Sequence, residues 1–129
     1  MRKLLIAGNW KMNMHRQNAI ELVREIKKQT QHVLSSVDVL VAPPYTILDS
    51  IGNELKNSKI QLGAQNVFYE KSGAYTGEIS PGMLVDIGCS YVIIGHSERR
   101  QYFGETDQII NKKVLEALKT DLIPILCVG

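Results

Sequence analysis

Short apolar runs rich in β-branched residues recur along this chain, and a segment of helical spacing separates each run from the next. That alternation constrains the fold more than any other feature. Leu4 to Asn9 reads as a buried strand, and Asn18 to Thr30 as a helix with Ala19, Ile20, Val23 and Ile26 on one face. Val37 to Ala42 is the second strand, stopped by Pro43-Pro44 because proline has no N–H to give a sheet ladder. Ile47, Leu48, Ile51 and Leu55 have helical spacing, and Ile60 to Ala64 forms a weaker third strand. Ser80-Pro81 predicts an N-cap followed by proline at the first helical position, with Gly88 closing that short helix. Tyr91 to Gly95 is the fourth strand. Thr106 or Asp107 caps a helix carrying Ile110, Val114 and Leu118 at four-residue spacing. Leu122 to Val128 is the fifth strand, with Pro124 expected in its irregular N-terminal part.

Five strands with four intervening helical segments imply a parallel sheet with right-handed crossovers. The strands are apolar nearly throughout, as they must be when both sheet faces are covered. An open doubly wound sheet and part of a (β/α)₈ barrel both fit this pattern. No Gly-x-Gly-x-x-Gly follows the first strand, which argues against a dinucleotide site. The one break in the alternation is Gln65 to Ile79, a polar stretch with Gly73 and Gly77 and no clear period. A loop of that length in a compact domain is usually functional or disordered.

Composition narrows the class of function. A chain of 129 residues is long enough for one ordinary domain with its own core. The formal net charge of +2, with no block of Lys or Arg, speaks against nucleic acid as a partner. No apolar run reaches membrane-spanning length. Met1-Arg2-Lys3 ahead of Leu4 to Ala7 mimics a signal peptide, but the apolar run is too short and Asn9, Trp10 and Lys11 interrupt it. A cytoplasmic protein is expected. Cys89 and Cys127 form no metal or redox pattern and read as reduced, buried small side chains. The three histidines are too scattered to suggest a metal site.

Two polar clusters stand at strand ends. In Tyr91-Val92-Ile93-Ile94-Gly95-His96-Ser97-Glu98-Arg99-Arg100, an imidazole follows a buried strand just before a helix can begin. The carboxyl ends of parallel strands are where ligands bind in α/β proteins. Helix N-terminal N–H groups disfavour an imidazolium, and a neutral imidazole can donate to a carbonyl oxygen and shuttle protons between adjacent oxygens. Asn9-Trp10-Lys11 ends the first strand in the same way, with Asn9 and Lys11 on one side of an extended chain. An ammonium there suits a phosphate or a developing enolate oxygen, and the amide beside it can orient that oxygen. Each cluster also has a plainer reading: a solvated Lys at a strand exit, and a structural His hydrogen-bonded at a strand end. Glu98, Arg99 and Arg100 read as ion pairs or a solvated face, or Glu98 as the group that holds Lys11 or the helix start.

Ala7-Gly8-Asn9-Trp10-Lys11-Met12-Asn13, Ala42-Pro43-Pro44, Gly63-Ala64-Gln65-Asn66, Gly73 to Ser80, Gly95 to Arg100 and Cys127-Val128-Gly129 occur in this order. Together they resemble the triosephosphate isomerase family, from one end of the chain to the other. The resemblance implies a (β/α)₈ barrel, residues 1–129 being the N-terminal part of its single domain. It implies interconversion of dihydroxyacetone phosphate and glyceraldehyde 3-phosphate with no metal or organic cofactor. By the same resemblance Asn9 and Lys11 contact substrate, and His96 is the electrophile. Ser97 starts the helix behind His96, and Glu98 matches a supporting acid. The long loop implies a homodimer in which Thr76, near its tip, contacts the partner's active site.

The family barrel needs roughly 250 residues. The resemblance puts the last three strands, the Glu base after the sixth strand, the mobile lid and the later phosphate loops beyond Gly129. The 129-residue chain is therefore expected to be inactive by itself. The alternatives are a half-barrel that associates with itself or with a separate C-terminal piece, and a non-catalytic module that binds small phosphorylated ligands. Strands one and five would then be open edges, which favour association.

Overall fold

A computed structural model describes residues 2–129. Met1, the first residue of the Met1-Arg2-Lys3 segment considered above, lies outside the described residues. The elements run β1 (Leu4–Asn9), α1 (Arg16–Thr30), β2 (Val37–Ala42), α2 (Tyr45–Leu55), β3 (Gln61–Ala64), α3 (Pro81–Asp86), β4 (Tyr91–Ile94), α4 (Ser97–Phe103), α5 (Asp107–Ala117) and β5 (Ile123–Leu126). All the strands are parallel, and their order in the sheet is β1-β2-β3-β4-β5.

That order chooses between the two architectures the sequence left open. A doubly wound sheet reverses its strand order at a switch point and carries helices on both faces. Here each strand is added beside the last in one direction, so right-handed crossovers put every helix on one face. The sheet is a curled half-barrel. Its outer residues Val39, Val41, Leu62, Ala64, Val92 and Ile94 form the main core with Ala19, Val23, Ile47, Leu48, Ile51 and Ile110 from the helices. Its inner residues Leu40, Ala42 and Ile93 form a smaller cluster with Tyr91, Ile125 and Cys127. Gly63 belongs to that inner face because a Cβ there would lie 2.8 Å from Leu40 Cδ1.

The local differences from the sequence reading have physical causes. Helix α1 starts at Arg16 rather than Asn18, because the Asn18 side chain accepts from the His15 N–H at 2.8 Å and so caps the earlier turn. The fourth crossover is split into α4 and α5 by Gly104, which takes φ +65°. Helix α3 follows its N-cap as expected, with Ser80 Oγ accepting from the Met83 N–H at 3.3 Å.

Three expectations are corrected. The first strand is not buried: Leu4, Leu5 and Ile6 are exposed, because β1 is an edge strand with β2 alone beside it and the helices cover one face of the sheet. Pro124 does lie in the N-terminal half of β5, but in regular pairing opposite Val92 rather than in an irregular stretch. The N–H groups of Ile123 and Cys127 donate to the carbonyls of Ser90, just ahead of β4, and Ile94 at its end, so alternation turns the proline nitrogen away from that neighbour and no ladder bond is lost. The buried face of α5 is Ile110, Lys113 and Ala117, while Leu118 is exposed. A buried carboxylate partner draws Lys113 inward, described below.

Candidate active site

The carboxyl ends of β1, β3 and β4 converge on one cavity of about 290 Å³, lined by Asn9, Lys11, Gln65, Asn66, His96, Glu98 and Arg99 among others. Gly95 makes the turn out of β4, with φ +76° and Ile110 side-chain atoms 3.2 Å from where a Cβ would stand. A side chain at that position would be strained and crowded, so the Gly95-His96 step is dictated by backbone geometry.

His96 is the N-cap of α4, and its Nδ1 accepts from the Glu98 N–H at 3.1 Å. A ring nitrogen that accepts carries no proton. The neutral ring then holds its proton on Nε2, which makes that atom a donor. Nε2 has no hydrogen-bond partner in the protein among the described residues. Ser97 is the first residue of α4 and is exposed; it does not line the cavity.

Lys11 follows β1 with φ +55°, a left-handed conformation that a lysine seldom adopts. Its N–H donates to Asn9 Oδ1 at 2.9 Å, which leaves the Asn9 NH₂ as the free end of that amide. Its Nζ donates to Glu98 Oε1 at 2.7 Å. The hydrogen bond from the Lys11 ammonium holds the Glu98 carboxyl below the usual carboxylate range. Among the readings open for Glu98, its side chain therefore takes that of a partner to Lys11, and its backbone N–H serves His96.

Beneath the cavity floor lies a cluster that sequence spacing did not reveal. Lys113 Nζ donates to Glu105 Oε2 and to Asn66 Oδ1, each at 2.8 Å. Arg99 Nε pairs with the same Glu105 oxygen, and the Tyr45 hydroxyl donates to the Asn66 carbonyl. Burial pushes the Glu105 carboxyl up, but the hydrogen bonds from Lys113 and Arg99 outweigh it and the net shift is downward. Burial likewise raises the Tyr45 phenol. The available signal was the presence of Glu105 and Lys113 eight residues apart around a capped helix start, and it does not distinguish a buried pair from a solvated one.

The thiols are poor nucleophiles: burial pushes Cys89 up to about 12 and raises Cys127 as well. No group of three or more His, Cys, Asp or Glu that could hold a metal occurs among the described residues. Among the described residues, no helix is long and apolar enough to cross a membrane. A larger depression of about 400 Å³ opens at the other end of the strands, but it brings no imidazole together with its Asp49 and Asp86.

The 65–79 loop closes on itself through the Phe68 N–H, which donates to the Ile79 carbonyl at 2.8 Å. Phe68 stacks on Tyr69 and packs at a tilt against Tyr75, with ring centroids 4.2 and 4.6 Å apart. Thr76 stands exposed near its tip and does not line the cavity.

The sequence model described as triosephosphate isomerase matches residues 4–129. This chain belongs to the triosephosphate isomerase family. It is 57% identical over its whole length to a triosephosphate isomerase of Endomicrobium trichonymphae, covering 51% of that protein. It is 55% identical to one from Clostridium botulinum (strain Loch Maree / Type A3), again covering 51% of the relative. A third, from Gloeothece citriformis, is 54% identical, with 54% covered. The chain spans about half the length of the curated relatives it matches. The partial barrel agrees with the family.

Proposed function

We propose that these residues carry the electrophilic part of a triose-phosphate isomerase site, which interconverts dihydroxyacetone phosphate and glyceraldehyde 3-phosphate through an enediolate. The observation that carries this reading is the His96 ring, which shares one cavity with Lys11 and Asn9 while its Nδ1 is occupied by the Glu98 N–H. Neutral His96 polarises the substrate carbonyl from Nε2 and moves a proton between the two oxygens. Lys11 steadies the phosphate and the enediolate charge, and the Asn9 amide orients the oxygen. Ser97 starts the helix that supports His96, and Glu98 holds the Lys11 ammonium.

Glu98 makes a poor base, because a carboxyl held ionised by a lysine at 2.7 Å has low proton affinity. The proton beside the carbonyl is taken instead by a Glu outside these residues, in the half of the relatives that this chain does not match. The 129-residue chain alone is thus inactive. The setting is cytoplasmic glycolysis and gluconeogenesis, in a homodimer in which Thr76 meets the partner's site, with no cofactor, metal, nucleic acid or membrane.

The deciding experiment compares the chain alone with a hybrid that joins it to the unmatched half of the Endomicrobium trichonymphae relative. Isomerisation by the hybrid and none by the chain is expected. An inactive, folded hybrid would refute the reading, and activity in the chain alone would refute the placement of the base.

A second reading has its own support. Leu4 and Ile6 on β1 are 67% and 58% exposed, and Ile123 on β5 is 51% exposed. Apolar edge strands favour association, so a non-catalytic half-barrel that self-associates or binds small phosphorylated ligands is the alternative. Light scattering on the chain would show a discrete oligomer; a soluble monomer would count against it.

A further inference from the structure

Lys11 combines a functional position with an unfavourable backbone. Its φ of +55° brings Cβ close to carbonyl oxygen, so the conformation persists only where the surroundings over-determine it. One restraint is local, the bond from its own N–H to Asn9 Oδ1. Another is the bond from the Trp10 N–H to the Ala42 carbonyl at 3.1 Å, which ties the chain just before it to the end of β2. Neither restrains the peptide that follows Lys11.

Gln65 does. Its Nε2 donates to the Lys11 carbonyl at 2.9 Å and to the Ala42 carbonyl at 2.8 Å. Both acceptors are carbonyl oxygens, so only the NH₂ end of the amide can face them and its orientation is not arbitrary. The two bonds use both hydrogens of that nitrogen. Gln65 follows β3, so a single side chain fastens the exits of three consecutive strands at the cavity rim. On its other side the Lys11 ammonium is held by Glu98, from the exit of β4.

We propose that Gln65 is a positioning residue for Lys11: its carboxamide clips the β1 exit to the β2 exit and holds the Lys11 backbone left-handed, which aims the ammonium into the cavity. Gln65 touches no reacting atom in this role and acts through Lys11. The consequence for turnover rests on the isomerase reading above; the conformational claim does not.

The test uses Gln65→Met in the hybrid protein, since methionine keeps the length of the side chain and removes both donors. A crystal structure should show Lys11 relaxed to negative φ or split between conformers. The kcat/KM for glyceraldehyde 3-phosphate should fall about tenfold, the order that two lost hydrogen bonds carry. In a Lys11→Met background the same change should leave kcat/KM unaltered, while the shift in thermal midpoint should be alike in both backgrounds. A merely structural Gln65 would lower kcat/KM equally in both. That result, or an unchanged φ at Lys11, would overturn the proposal. An inactive parent hybrid would instead refute the isomerase reading, and the φ of Lys11 would still decide the role of Gln65.

Discussion

Two lysine–glutamate pairs with nearly the same length do opposite work in this molecule. Lys11 and Glu98 meet at 2.7 Å with side chains 52% and 42% exposed. Lys113 and Glu105 meet at 2.8 Å with side chains 4% and 6% exposed. The first pair lies at the cavity rim, in high dielectric, where the attraction between charges is weak and screened by salt. An anion can therefore compete for the ammonium at little cost. The second pair is out of water, where Lys113 has Glu105 as its counter-ion and Glu105 is compensated by Lys113 together with Arg99. Distance alone does not tell the two apart; solvent does.

The comparison can be broken by removing one cation at a time. Lys113→Met strands Glu105 in the interior with Arg99 as its remaining cation, and urea unfolding should show a loss of about 3–5 kcal/mol. A loss below about 1 kcal/mol would put the buried pair in the same class as the exposed one. His96→Gln in the hybrid should lower turnover by about 10²–10⁴-fold with the unfolding midpoint unchanged, read by initial rates. Turnover near the parent value would remove His96 from its role.

Acid should separate the pairs further. The Glu105 carboxyl is held below its ordinary range in the fold, so its contribution to stability is complete above that range and disappears as pH falls through the folded value. Unfolding midpoints should therefore drop steeply below roughly pH 4. The slope should be shallower in Lys113→Met, where the shift is smaller; equal slopes would assign the acid limb to other carboxyls. Lys11→Met should cost far less stability than Lys113→Met, under about 1 kcal/mol by urea unfolding. The same variant should weaken binding of glycerol 3-phosphate to the hybrid by about tenfold or more in calorimetry, and an unchanged affinity would show that the ammonium is not the anion's partner.

Much of the fold was legible because it depends on local rules. The apolar runs at Leu4, Val37 and Tyr91 form strands within a residue of the expected bounds. Ser80-Pro81 starts a helix because a hydroxyl acceptor and a fixed φ are properties of those two residues. Leu118 and Pro124 were misread for a shared reason. Helical spacing ranks Leu118 above Lys113 for burial, but Lys113 bonds the buried Glu105 and Asn66 while Leu118, past the end of α5, is exposed. Proline reads as a poor strand residue until the side of the strand that needs no donor is known.

At the site, the residue types and their strand-end positions were visible: Asn9, Lys11, His96 and Glu98 all line the cavity. Their relations were legible only in part. Glu98 as the holder of Lys11 was one of the readings open, but the choice among them rests on a contact 87 residues apart in sequence, and the amide that reaches the Lys11 carbonyl lies 54 residues away. Even the local bond from the Glu98 N–H to His96 Nδ1, two residues back, depends on the ring's orientation, which spacing does not give.

Sequence by itself determined the alternation of strands and helices, the caps, and the polar residues at the strand exits, since these follow from periodicity and backbone preference within a few residues. Tertiary structure decided the one-directional strand order, the interior place of Lys113 and the left-handed backbone of Lys11. Each of those is set by long-range burial and hydrogen bonding, whose free energy exceeds what local preference can resist.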